Sequence, residues 1–116
     1  MRLGIDFGTT RIIAAAADRG NFPLISFDSG EGSFDWFPSL ISIRGDERRY
    51  GWDAWHVQAD PTWTTVRSIK RFLEDAGPHT RVDLGNQEIL LSELLGGLIG
   101  ALKTAIAGYS GPTEPL

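Results

Sequence analysis

The chain has 116 residues, 41% of them hydrophobic, a formal net charge of −4 and no cysteine. That length suits one domain and that apolar fraction a packed core, which argues against a disordered segment. An acidic balance with scattered basic residues gives no electrostatic footprint for nucleic acid or anionic membrane, and disulfides and thiolate metal sites are excluded.

The first predicted element is a strand, tight turn and strand over Arg2–Asp18. Leu3, Ile5 and Phe7 alternate with Gly4 and Asp6, which puts an apolar set on one side and a single carboxylate beside the turn. Gly8, Thr9 and Thr10 form that turn, and backbone N–H groups with two hydroxyls suit an anionic oxygen cluster such as phosphate. A carboxylate facing phosphates needs a cation between them. Mg²⁺ keeps several waters and meets only one or two carboxylates, so Asp6 is a candidate to hold it through water. The same residues also suit an ordinary hairpin turn. The apolar run Ile12–Ala17 is too short for a signal-peptide core or a membrane span, and a cytoplasmic location is expected.

Phe22–Phe27 reads as a third strand, with Pro23 favouring an edge, so an antiparallel meander is expected. Asp28–Asp35 reads as a solvated loop whose acidic spacing fits a calcium loop poorly. Phe37–Ile43 is the next strand, and Gly45-Asp46 turns the chain into Arg48-Arg49-Tyr50, where Arg44, Arg48 and Arg49 are expected as solvated charges. Gly51 admits a helix through Ala59 that ends before Pro61. On its Trp52, Trp55 and His56 face, packing is the first reading and a sugar-stacking or partner surface the second.

Thr64–Ala76 is predicted as a second helix with Val66, Ile69, Phe72 and Leu73 buried and Arg67, Lys70 and Arg71 on a basic face. Neither His56 nor His79 has the clustered partners of a metal site. Gly85-Asn86 suits a tight hairpin between Arg81–Leu84 and Gln87–Leu90. Ser92 then caps a helix whose apolar residues recur from Leu94 to Tyr109 and which Gly108 or Gly111 ends. Its Gly96, Gly97 and Gly100 are expected to be offset by close approach of another backbone. Residues 110–116 read as a tail or truncation point after a domain portion spanning 1–109.

Taken together, these stretches resemble the N-terminal part of the ATPase domain of the heat shock protein 70 family of chaperones, within the actin-like superfamily. Ile5-Asp6-Phe7-Gly8-Thr9-Thr10 is similar to that family's first phosphate element, Phe37-Pro38-Ser39-Leu40-Ile41 to its proline-serine strand, and Gly51-Trp52-Asp53-Ala54 to its glycine-acid-alanine helix start. Asp60-Pro61 followed by Ser68–Leu73 is similar to its lysine-arginine helix. The resemblance implies a partial ribonuclease-H-like, actin-like α/β fold: a mixed sheet begun by the meander, with packed helices. It implies ATP/ADP and Mg²⁺ as cofactors, with Asp6 organising the hydrated ion and Gly8, Thr9 and Thr10 on the phosphates. Arg11 falls at the nucleotide entrance, where the family usually has a polar or aromatic residue. Lys70 would be catalytic beside the γ-phosphate, together with Asp6. Unfolded clients and co-chaperones would be met through regions beyond these residues, and the chain by itself is expected to lack turnover. A carbohydrate kinase of the same superfamily and a non-catalytic interaction module are the alternatives.

Overall fold

The computed structural model describes residues 2–17 and 20–108. The predicted positions Tyr109 and Gly111 and the tail at 110–116 lie outside the described residues.

Strands β1 (Arg2–Phe7) and β2 (Arg11–Ala17) form the expected hairpin, in register from Arg2 opposite Ala17 to Phe7 opposite Ile12. β2 buries Ile12, Ala14 and Ala16, because its alternate side chains meet the core. The β1 partners on that face are Phe7, Ile5 and Leu3. Only Phe7 packs against the core; Leu3 and Ile5 are 41% and 49% exposed on an edge strand. The apolar face foreseen for β1 is therefore present but uncovered.

The predicted strand at Phe22–Phe27 is corrected. Ala16 N–H donates to Pro23 O (3.0 Å) and Ile25 N–H to Ala14 O (2.8 Å), around an isolated bridge between Ala15 and Leu24. Pro23 has no N–H, so a full ladder is unavailable. Only Phe27–Asp28 (β3) is extended and paired, with Ser33–Phe34 (β4). The third member of the first sheet is instead Phe37–Pro38 (β5), which pairs with Arg11 and Ile12.

The strand predicted over Phe37–Ile43 is divided between two sheets. After β5 the chain crosses at Ser39-Leu40 and continues as β6 (Ile41–Arg44), which lies between β7 (Glu47–Tyr50) and β8 (Thr64–Val66). Helix α1 (Trp52–Val57) follows Gly51 as expected. The thirteen-residue helix foreseen at Thr64–Ala76 is β8 followed by a single helical turn, α2 (Ile69–Phe72). β-Branched Thr64, Thr65 and Val66 favour the extended form, and Thr65 Oγ1 meets the buried Ser42 Oγ across the ladder at 2.8 Å. Of the predicted stripe, Val66 and Ile69 are buried, Leu73 is half-buried and Phe72 is exposed.

β9 (Arg81–Leu84) and β10 (Gln87–Leu90) form the predicted hairpin, with Gly85 at φ 54° and Asn86 at φ 67°, the pair of left-handed residues a type I′ turn requires. Helix α3 (Leu91–Ala107) buries Leu91, Leu94, Leu98, Leu102 and Ile106, the ridge its periodicity gives. Ser92 is not its cap. Leu90 holds that position, and Leu91 N–H donates to Thr80 O at 2.9 Å. Only Gly97 has a packing reason to lack a side chain, since a Cβ there would overlap the Tyr50 ring; Gly96 and Gly100 face open space.

The architecture is α/β, and every ladder among the described residues is antiparallel, in four small sheets rather than one mixed sheet. One core joins Ile12, Ile25, Phe37, Ile41, Ile69 and Leu98 across them. No helix among the described residues is long and apolar enough to cross a membrane.

All three arginines read as solvated have specific partners; Arg49 Cζ lies 5.0 Å from the Trp63 ring centroid. Arg48 is half-buried, donates to Gly45 O (2.8 Å) and faces Glu93 on α3 at 3.6 Å. Arg44 pairs with Glu47 (3.0 Å), lies 4.4 Å from the Trp63 ring centroid and reaches Thr62 Oγ1 at 3.3 Å.

Thr62 also donates through its N–H (2.8 Å) and hydroxyl (2.7 Å) to Asp60 Oδ1. These two bonds, the backbone one first, hold the Asp60 carboxyl below its ordinary value. A carboxylate so lowered contributes stability that is present above its unfolded pKa and lost as pH falls through the folded one. Thr62→Val should raise the Asp60 midpoint in a carbon-detected NMR titration. An unmoved midpoint would remove the hydroxyl from the account.

Candidate functional site

The turn between β1 and β2 is closed by Gly8 N–H donating to Arg11 O at 2.9 Å. A Cβ on Gly8 would lie 2.8 Å from that same carbonyl, so glycine is required by the tightness of the turn. Asp6 is exposed near the end of β1, on the face opposite Leu3 and Ile5. It makes no ion pair or side-chain hydrogen bond with the described residues.

Thr9 and Thr10 are also exposed. The Thr10 carbonyl accepts the Ser39 N–H at 3.1 Å, and Arg11 and Ile12 are in register with Pro38 and Phe37. The proline-serine segment thus braces the turn through its backbone, while both threonines stay exposed. Ser39 itself is fully buried, and its Oγ has no partner among the described residues.

Arg11 lies with Cζ 4.3 Å from the centroid of the Trp36 ring, a cation–π contact. Trp36 belongs to a cluster that the sequence reading missed. Its ring centroid is 4.7 Å from that of Trp52, 5.6 Å from Trp55 and 6.0 Å from Phe34. The signal was available: Phe34 and Trp36 alternate with Ser33 and Asp35, which gives two aromatics one strand face. Trp52 is buried and stacked 5.0 Å from Phe34, as the packing reading expects, while Trp55 is 41% exposed at the rim. His56 Nε2 contacts the Ser29 carbonyl.

Lys70 stands on a different element. It is the second residue of α2, exposed, on a turn anchored by the fully buried Ile69. Its ammonium makes no hydrogen bond or ion pair with the described residues, so the structure does not bring it into contact with Asp6, Thr9 or Thr10. A continuous frame nevertheless joins the two places. Ser39 holds Thr10, Leu40 leads directly into β6, Ile41 pairs with Val66 on β8, and β8 runs into α2.

No group of three or more His, Asp or Glu side chains that could hold a metal ion occurs among the described residues. Asp6, exposed and without an ion pair among the described residues, and the exposed Thr9 and Thr10 at the same turn are compatible in chemistry with a water-ligated Mg²⁺ beside phosphate.

No protein-family model matches the sequence. The chaperone protein HscA of Serratia proteamaculans is 33% identical over 70 residues, 60% of this chain, and an HscA homolog of Tolumonas auensis is 31% identical over 74 residues, 64% of the chain. The chain spans only 11% and 12% of these relatives' lengths. Over most of its length, then, the chain is similar to a short stretch of two chaperones.

Proposed function

We propose that residues 1–109 are the opening portion of the nucleotide-binding domain of a cytoplasmic, ATP-hydrolysing chaperone of the heat shock protein 70 type. The observation that carries this is the turn itself. A Gly8-Thr9-Thr10 loop braced by Ser39, with Asp6 exposed at its edge and without an ion pair among the described residues, leaves two threonines and a carboxylate exposed. The motif order and the similarity to the two chaperones support the same class.

In this function Thr9 and Thr10 orient the terminal phosphates, with the turn's backbone N–H groups beside them. Asp6 would hold a hydrated Mg²⁺, which when bound would offset phosphate charge. Arg11, drawn onto Trp36, marks the entrance. Lys70 supplies a positive charge toward the γ-phosphate once the lobe is completed. Phosphoryl transfer depends mainly on such positioning and electrostatic stabilisation. Nucleotide state would then set lobe closure and the affinity of a client-binding region in the longer polypeptide.

Leu3 and Ile5 are exposed on β1, which among the described residues pairs only with β2, and in this reading the chain alone should bind nucleotide poorly. Calorimetric titration with Mg·ATP should give no saturable heat for the 116-residue chain and saturable binding for the longer polypeptide. In the latter, Asp6→Asn should weaken magnesium-dependent binding by about tenfold, as expected for losing one charge-assisted contact. Tight binding by the short chain would overturn the two-lobe requirement. No binding by either would favour a non-catalytic interaction module.

A further inference from the structure

Among the described residues the outer edge of β1 has no neighbouring strand, since the first sheet runs in the order β1, β2, β5. Ala14 O accepts the Ile25 N–H and Ala16 N–H donates to Pro23 O, so both alanines turn their backbone groups away from β1. Antiparallel pairing alternates along a strand, and Ile5 and Leu3, in register with Ala14 and Ala16, therefore turn theirs away from β2 and toward the open edge. Such a row of unpaired groups is a template for another strand.

Gly4 lies between them, and nothing within the protein requires it to be glycine. A Cβ there would meet nothing within 4 Å, and Gly4 is not among the glycines with positive φ. Glycine inside a strand weakens it, and it often marks the place where a second backbone comes close. The charges about it are self-complementary. Arg2 and Asp6 stand two residues to either side on one face of the strand, both exposed and neither in an ion pair among the described residues. Leu3 and Ile5 occupy the other face, 41% and 49% exposed. Edges are often protected by charges that repel a second edge. Here a twofold rotation sets opposite charges together.

We propose that two copies of this chain pair through β1, antiparallel about a twofold axis at Gly4. Leu3 and Ile5 of the second copy then donate their N–H groups to each other's carbonyls, and the symmetry repeats the exchange. On one face Arg2 stands opposite Asp6 of the second copy; on the other Leu3 lies beside its Ile5. Moving the axis to Leu3 or Ile5 would also match the outward backbone groups, but it separates Arg2 from Asp6, so the charges select the Gly4 register. The pairing concerns the 116-residue chain and does not rest on the nucleotide reading.

Sedimentation velocity of this chain at rising concentration should show reversible monomer–dimer exchange. Over the same range the Leu3 and Ile5 amides should gain protection from hydrogen exchange, while those of Gly4 and Asp6, already turned to β2, change little. Arg2→Glu should weaken dimerisation about tenfold, because the axis doubles each lost cross-strand pair and sets carboxylates against each other. Arg2→Asp combined with Asp6→Arg restores opposite charges in reversed order and should recover it. Ile5→Pro removes an N–H that β2 does not use and should abolish pairing. A monomer at every concentration, dimerisation indifferent to Arg2→Glu or Ile5→Pro, or a charge-reversed chain that stays monomeric would each overturn the proposal. Amide spectra report the fold of every variant in the same samples, and the exchange pattern of the unsubstituted chain decides the matter where a variant unfolds.

Discussion

On the proposed function, replacing Lys70 with alanine in the full-length ATPase proposed above is expected to slow single-turnover hydrolysis by roughly 10²–10³-fold, the range for removing one preorganised electrostatic group. Binding of Mg·ATP should weaken far less, because a group that acts on charge developing in the transition state contributes more there than in the ground state. The fold should be indifferent to the change. Lys70 is exposed and has no hydrogen bond or ion pair among the described residues, while the turn that carries it is held by fully buried Ile69 and by the β6–β8 ladder. Arg71 cannot take over, since adjacent residues on a helical turn point in different directions. Arg71→Ala is therefore the matched control and should leave the hydrolytic step nearly unchanged. An unaltered single-turnover rate in Lys70→Ala would remove Lys70 from the chemistry and leave the threonine turn as a binding element only.

The contrast between Lys70 and the turn also shows where the sequence was readable. The β1–β2 hairpin was legible because strict alternation and a Gly-Thr-Thr turn leave one local solution, and Gly85-Asn86 was legible for the same reason. Helix α3 announced itself through seventeen residues of helical periodicity. The Thr64–Ala76 stretch misled because its apolar spacing suits a helix while three consecutive β-branched residues suit a strand. The partner that decides between them, β6, is distant in sequence. Phe37–Ile43 likewise reads as one strand, and only the two sheets that it joins reveal the crossing at Ser39-Leu40. At the candidate site, residue identities were legible but environments were not. Nothing local indicated that Arg11 would lie over Trp36, or that Ser39 would tie the turn through its backbone with its hydroxyl left buried. Such facts depend on which strands become neighbours, which no single stretch encodes.

The largest stability effect is expected at Gly51, where the same crossing is locked. Gly51 is buried, sits at φ 62° and ψ −129° immediately before α1, donates its N–H to Leu40 O (3.0 Å) and accepts from Trp55 N–H (2.9 Å). Any side chain there adopts a backbone conformation that costs about 1–3 kcal/mol. A Cβ would in addition overlap the Phe37 ring, which is itself 4% exposed and packed 5.3 Å from Phe27, so relief requires movement in the core. Overpacking of that kind adds about 1–3 kcal/mol. Gly51→Ala should thus lower the unfolding free energy by about 2–6 kcal/mol, a large share of the roughly 5–15 kcal/mol typical of a domain. The two contributions separate in a double-mutant cycle by urea unfolding. Phe37→Ala alone should destabilise through loss of the ring, by about 3–5 kcal/mol. In the Phe37→Ala background, Gly51→Ala should cost only the backbone part, about 1–3 kcal/mol, which leaves a coupling of at least about 1 kcal/mol. Strict additivity would mean that the ring and the glycine do not constrain each other and that backbone conformation alone demands glycine at position 51. Measurable coupling would place the start of α1 and the β5 end of the braced turn in one packed unit, so that strain at Gly51 is felt at Phe37 and, through the β2–β5 pairing, at the residues following Thr10.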